Sequence, residues 1–176
     1  MSVAYLGLGS NMGNRGENLR RAIYELGRSG KVRVTKQSSV YETEPVGVKE
    51  QPWYFNMALE VETDLLPEEL LGLTKQVEAV MGRRPSGPWG PRVIDVDILV
   101  YPGVELSTEG LTVPHKELEN RAFVLVPLSE IAPDLPLPGG KTAKQALAAL
   151  AATDKVFLYA RDARGPGPRG AEKRRH

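Results

Sequence analysis

"GPWGPRVIDVDILVYPG", residues 87–103, holds the segment on which the fold turns. Its centre alternates like a strand, with Ile94, Val96 and Ile98 on one face and Val93, Asp95, Asp97 and Leu99 on the other. Both carboxylates therefore point the same way. Their Cα atoms lie roughly 7 Å apart, where two like charges at an effective dielectric of about 20 repel by roughly 2 kcal/mol. A solvent-facing strand that happens to carry two acids is the plain alternative. Against it, Arg92 stands just before the strand, and Arg83 and Arg84 share the preceding Gly/Pro-rich loop. Oxygen donors without His or Cys suit a hard ion such as Mg²⁺, and arginines beside them suit phosphate oxygens. A pair at this spacing could also serve two metals about 3.5–4 Å apart.

Working outward, "SVAYLGLG" reads as a short apolar strand. The helix after it has Leu19, Ala22, Ile23 and Leu26 at helical spacing and an Asn14/Glu17 cap. "KVRVTKQSSVYETEPV" alternates like one long strand, and Pro45, Gly47 and Pro52 mark a loop. "WYFNMALEVETD" is a third strand. "LPEELLGLTKQVEAVMG" is a helix with Pro67 in its first turn and a stripe of Leu70, Leu73, Val77 and Met81. The order βαββαβ predicts an α+β, ferredoxin-like sheet with helices on one face and a second face free for an active site, plus C-terminal additions. Those additions include a helix at "TAKQALAAL" and an edge strand at "KVFLYA". Residues 1–160 form the expected single domain, and the Gly-, Pro- and Arg-rich residues 161–176 an expected disordered basic tail.

The chain of 176 residues has a net charge of +1, so no global field points to nucleic acid or membrane as a partner. It has no cysteine, which excludes disulfides, thiolate metal sites and cysteine nucleophiles and suits a cytoplasmic setting. The N-terminus reads as neither a signal peptide nor a membrane span. "GLGSNMG" is not a dinucleotide fingerprint, since Met12 stands where the third glycine is needed, and no P-loop lysine follows. It reads as a tight strand-to-helix turn. In "PWYFNMAL", parity puts Phe55, Met57 and Leu59 under the helices, and Tyr54 and Asn56 on the face of the carboxylates. An aromatic ring beside an amide suits a flat, hydrogen-bonding heterocycle.

Taken together, "AYLGLGSNMGNR", "SSVYETEPVG", "QPWYFNMAL", "WGPRVIDVDIL" and "LTVPHKELENRAFVLVPL" resemble the 6-hydroxymethyl-7,8-dihydropterin pyrophosphokinase family, in order and over residues 3–133. The resemblance implies transfer of diphosphate from ATP to the pterin hydroxymethyl group, releasing AMP, in folate biosynthesis. It implies two Mg²⁺ ions on Asp95 and Asp97, and phosphate-binding, catalytic roles for Arg83 and Arg92. Pterin contacts would come from Tyr54, Phe123, Asn56, Thr43, Pro45 and Val46, and ATP contacts from Leu70, Arg84, Trp89, Ile98, Thr112 and His115. A monomer is expected. An RNA-binding module on the same sheet is the rival from another class, but the aromatic pattern such modules use is missing.

Overall fold

The computed structural model describes residues 1–47, 50–83, 90–151 and 155–163. In chain order the elements are β1 (Ser2–Ser10), α1 (Arg15–Arg28), β2 (Val32–Gln37), β3 (Val40–Thr43), β4 (Tyr54–Thr63) and α2 (Pro67–Val80). After these come β5 (Asp95–Val100), β6 (Leu106–Ser107), β7 (Thr112–Val113), α3 (Ala122–Ile131), α4 (Ala143–Ala149) and β8 (Val156–Ala160). The helix starts follow local chemistry: Asn14 Oδ1 accepts from the Glu17 N–H at 3.0 Å, Pro67 opens α2, and the Thr142 hydroxyl accepts from the Gln145 N–H.

The main sheet runs β5-β1-β4-β3-β8, with β2 also pairing β4, and these pairings are all antiparallel. Each βαβ crossover skips one strand, which is the ferredoxin-like arrangement expected from the element order. The expected long second strand is instead two strands, β2 and β3, laid end to end along β4. At the break the Ser38 hydroxyl takes over an acceptor position in the ladder, receiving the Ala58 N–H at 2.8 Å while the Ser38 N–H donates to Ala58 O. The register against β4 slips across the break, from Gln37↔Leu59 to Tyr41↔Asn56.

One face of the sheet buries Ala4, Leu6, Leu8, Phe55, Met57, Leu59, Val96 and Ile98 against Leu19, Ala22 and Leu26 of α1 and Leu70 and Val77 of α2. The other face was expected to be free, and half of it is covered. Tyr5, Leu99 and Val100 pack there against Leu125 and Leu128 of α3 and Ala143 and Ala146 of α4. A bulge between Tyr5 and Leu6, opposite Leu99, turns both Leu99 and Val100 to this side. Among the described residues, no helix covers the end of the face that carries Asp95 and Asp97.

Residues 161–163, placed by expectation in the tail, belong to the described structure. Ala163 is buried in the helix-side core, and its carbonyl accepts from Arg20 Nη1 at 3.3 Å. Residues 164–176 lie outside the described residues. Among the described residues no helix is long and apolar enough to cross a membrane.

Candidate functional site

Strand pairing builds the site as rows across the uncovered face. Gly9 of β1 sits opposite Asn56 of β4 on one side and Asp95 of β5 on the other, and Tyr41 of β3 continues the row beyond Asn56. Paired residues in antiparallel strands share a face, so Asn56, Gly9 and Asp95 form one file. In the next row Gly7 stands between Ala58 and Asp97.

The two glycines, read both as the end of the first strand and as the start of a tight turn, lie inside β1, and the turn is confined to the residues after Ser10. Their role is spatial. A Cβ on Gly9 would come 2.7 Å from Asn56 Oδ1 and 3.5 Å from the Tyr54 ring, and one on Gly7 3.2 Å from Leu99. Bare backbone at Gly9 is what lets the Asn56 amide and the Tyr54 ring lie across β1. The missed signal was parity: Gly7 and Gly9 alternate with the core residues Leu6 and Leu8.

Asn56 Nδ2 donates to the Thr43 hydroxyl at 2.6 Å, which fixes the amide and leaves Oδ1 as a directed acceptor. Tyr54 is half-buried, and its hydroxyl pKa is pushed up to about 12, first by burial and then by the charge of Asp95, with Arg83 opposing. These charges connect the ring of β4 with the acid of β5. Pro45 is buried and Val46 half-buried just beyond Thr43. Phe123 is half-buried in the first turn of α3, the helix that packs over this face against β4. Among the described residues it makes no ring contact with Tyr54.

The carboxylates differ in their partners. Asp95 Oδ1 meets Arg83 Nη2 at 3.3 Å and Arg92 Nη1 at 4.0 Å. Asp97 has no cation within 4 Å among the described residues. Both are held above the usual carboxylate range, chiefly by burial; the Asp97 charge adds to the shift of Asp95, and Glu78 to that of Asp97. Lys75 and Arg83 pull the other way. Two acids kept near one another with incomplete cationic compensation have the donor chemistry of a hard-cation site. Among the described residues no group of three or more His, Cys, Asp or Glu forms a ready cage. A magnesium ion here would draw the rest of its shell from water and phosphate, its usual habit.

Glu78, unremarked in the sequence, organises the cationic side. It sits in the last turn of α2 and is buried. One carboxylate oxygen bonds Arg83 Nη1 at 3.0 Å and Lys75 Nζ at 3.2 Å, while the other accepts the Val96 N–H at 2.9 Å. Arg83 is thereby pinned between Glu78 and Asp95, and among the described residues its buried Nε has no hydrogen-bond partner. Only the turn that folds residue 83 back against α2, closed by the Arg83 N–H on Glu78 O at 3.0 Å, brings these groups together.

His115 follows β7, and its N–H donates to Leu99 O at 2.8 Å, on the outer edge of β5. Its Nδ1 accepts from the Glu117 N–H at 3.1 Å, so the neutral ring carries its proton on Nε2. Burial lowers its pKa, Glu117 and Asp95 raising it and Lys116 and Arg121 lowering it. Thr112 is exposed on β7. Leu70 and Ile98 were expected to line the nucleotide, but both side chains are packed in the helix-side core, facing away from the carboxylates. The Val96 N–H points outward to Glu78, so strand alternation puts the Ile98 main chain on the same outer edge of β5. Its peptide groups, not its side chain, are the ones available there. Arg84 and Trp89 lie outside the described residues.

Comparisons agree with the chemistry of this face. The family model described as 7,8-dihydro-6-hydroxymethylpterin-pyrophosphokinase (HPPK) matches residues 5–133. A protein of Methylorubrum extorquens named 2-amino-4-hydroxy-6-hydroxymethyldihydropteridine pyrophosphokinase is 47% identical over 150 residues, 85% of this chain and 94% of its own length. One of the same name from Bacillus subtilis is 48% identical over 130 residues, 74% of this chain and 78% of its own. Among solved structures, a crystal structure of HPPK-DHPS in complex with substrates matches with a TM-score of 0.68 at 13% identity, a likeness of fold. It covers 84% of this chain, which spans 44% of that longer one.

Proposed function

Because the chain belongs to the 7,8-dihydro-6-hydroxymethylpterin-pyrophosphokinase family and is a pyrophosphokinase of folate biosynthesis, we propose that its uncovered sheet face carries out the transfer. The substrate hydroxymethyl oxygen bonds to the β-phosphorus of ATP, the bond from that phosphorus to the oxygen bridging the α-phosphorus breaks, and AMP leaves with that oxygen. The hydroxyl proton is lost as the new bond forms.

The file Asn56–Gly9–Asp95 carries the proposal. It spans two interstrand steps, roughly 10 Å, which is about the length of a pterin with its hydroxymethyl arm. A heterocycle whose edge meets Asn56 Oδ1 would therefore direct its arm toward the carboxylates. Tyr54 and Phe123 would hold the ring planes, and Thr43, Pro45 and Val46 its far edge.

Asp95 and Asp97 would hold magnesium, which when bound neutralises phosphate charge and favours ionisation of the attacking hydroxyl. Arg83 and Arg92 would meet charge developing on the transferred and leaving groups. Arg83 suits this because Glu78 fixes its guanidinium before substrate arrives, so little reorganisation is left for the reaction. His115, Thr112 and the Ile98 main chain line the outer edge of β5, where the nucleotide would extend, with Arg84 and Trp89 as its proposed further contacts. We propose that the enzyme acts as a monomer in the cytoplasm, a setting that its cysteine-free composition suits.

The test is direct. With ATP and Mg²⁺, AMP should form only when 6-hydroxymethyl-7,8-dihydropterin is added. Pterin-independent AMP, or release of pyrophosphate instead, would overturn the assignment.

A further inference from the structure

Asn11 does not touch the proposed reacting groups, yet it is 1% exposed and is bonded to both loops that enter the site. It lies between β1 and α1. Its backbone N–H donates to Arg92 O at 3.0 Å, and its Oδ1 accepts the Arg92 N–H at 2.7 Å. Its Nδ2 donates to Gln51 Oε1 at 2.9 Å and to Pro52 O at 3.0 Å. Both amide hydrogens are thus used on the segment before β4, while the amide oxygen and main chain serve the segment before β5.

The positions held are significant. Pro52 is two residues before Tyr54, and Arg92 is three before Asp95 and brings its own guanidinium to that acid. The β1–β5 register, extended from Gly9↔Asp95, would set Asn11 against Val93, but the bonds go one residue further, to Arg92. The ladder has ended there, and the planar amide takes its place. Because donor and acceptor sit on one rigid plane, a shift of the Arg92 peptide is transmitted to Pro52, and the reverse.

We infer that Asn11 is a positioning residue that couples the two substrate subsites, so that filling the triphosphate side improves binding on the heterocycle side. The inference rests on the proposed function. Coupling between sites is commonly 5- to 150-fold in affinity and acts equally in both directions. A bracket of this kind acts chiefly in that coupling, not in the affinity of either ligand alone.

The experiment uses the full chain with Mg²⁺, α,β-methylene-ATP as the nucleotide and 6-hydroxymethylpterin as the heterocycle, by titration calorimetry. Wild type must first give pterin-dependent AMP from ATP; failure there overturns the function, whereas the ratio below tests Asn11 alone. The quantity read is pterin affinity with nucleotide bound divided by that without. We expect it to be at least about 5 in wild type and to fall toward 1 in Asn11→Ala, with the nucleotide's own affinity changed less than about 3-fold. Asn11→Asp keeps the acceptor for Arg92 but loses both donors to the other loop, so it should lose the coupling as well. Gln51→Ala removes one partner and should lower the ratio part of the way, and adding it to Asn11→Ala should cost nothing further. An active wild type with a ratio near 1, or a folded Asn11→Ala with the wild-type ratio, overturns the inference. If Asn11→Ala does not fold, Gln51→Ala carries the test, and an unchanged ratio there overturns it equally.

Discussion

Replacing Asp97 with Asn should make the metal-free protein more stable and the enzyme inactive. The two carboxylates stand two residues apart on one face of β5. At roughly 7 Å and an effective dielectric of about 20, their repulsion is roughly 2 kcal/mol. Part of this returns, because the amide loses the attraction of Lys75 and Arg83. A net gain of about 1 kcal/mol in EDTA raises Tm by about 2–4 °C for a chain of this length. The sign with pH follows from the raised carboxyl pKa values. The substitution gives its full gain at the alkaline end, where both carboxyls of the folded wild type are ionised, and both have been pushed upward by burial. As pH falls toward the ordinary carboxylate range near 4, the folded wild type takes up a proton before the unfolded chain does, the repulsion disappears, and the gain shrinks. Saturating Mg²⁺ with α,β-methylene-ATP should reverse the order, since ligand stabilises only the protein that binds it. Thermal melts at pH 8 and pH 5, in EDTA and in Mg²⁺ with nucleotide, read all of this, and the AMP assay should show a loss of about 1,000-fold or more. A Tm lowered by several degrees in EDTA at pH 8, or activity within tenfold of wild type, would refute the reasoning.

Glu78→Ala removes the buried acid that holds Arg83 and the Val96 N–H, so it should destabilise the fold by about 3 kcal/mol in urea titrations. Glu78→Gln, which can still accept from Val96, should recover part of the stability but not the full kcat. Gly9→Ala sets a methyl 2.7 Å from Asn56 Oδ1, so the KM for the pterin should rise about tenfold or more while the KM for ATP stays within about twofold. His115, whose pKa is lowered by burial, contributes a loss of stability as pH falls below about 6.5, where the unfolded chain takes up the proton first. Because the carboxyls titrate alike in both proteins, wild type should lose stability relative to His115→Gln in melts between about pH 7.5 and 5.5.

The sequence by itself determined the framework. Alternation in "VIDVDILV" and "WYFNMALEV" specified which side chains share a face, and parity needs no tertiary information because side chains in a strand must alternate. The order of elements then restricted the sheet to one familiar topology, and composition excluded cysteine chemistry. Tertiary structure decided which groups meet across distant segments. Glu78 reads locally as one more polar residue on a helix, and only the fold of residue 83 back onto α2 makes it the anchor of the Arg83 guanidinium. Gly9 reads as the end of a strand running into a turn, and its spatial role shows only when β4 and β5 flank it. Asn11 reads as part of a strand-to-helix turn until the segments before β4 and β5 arrive at its amide. Leu70 and Ile98 went the other way: the helix stripe and the strand parity already directed both side chains to the core, against the roles the family resemblance implied, and packing keeps them there. Local rules act between near neighbours in the chain, whereas each of these contacts closes a loop whose ends only the packed sheet brings together.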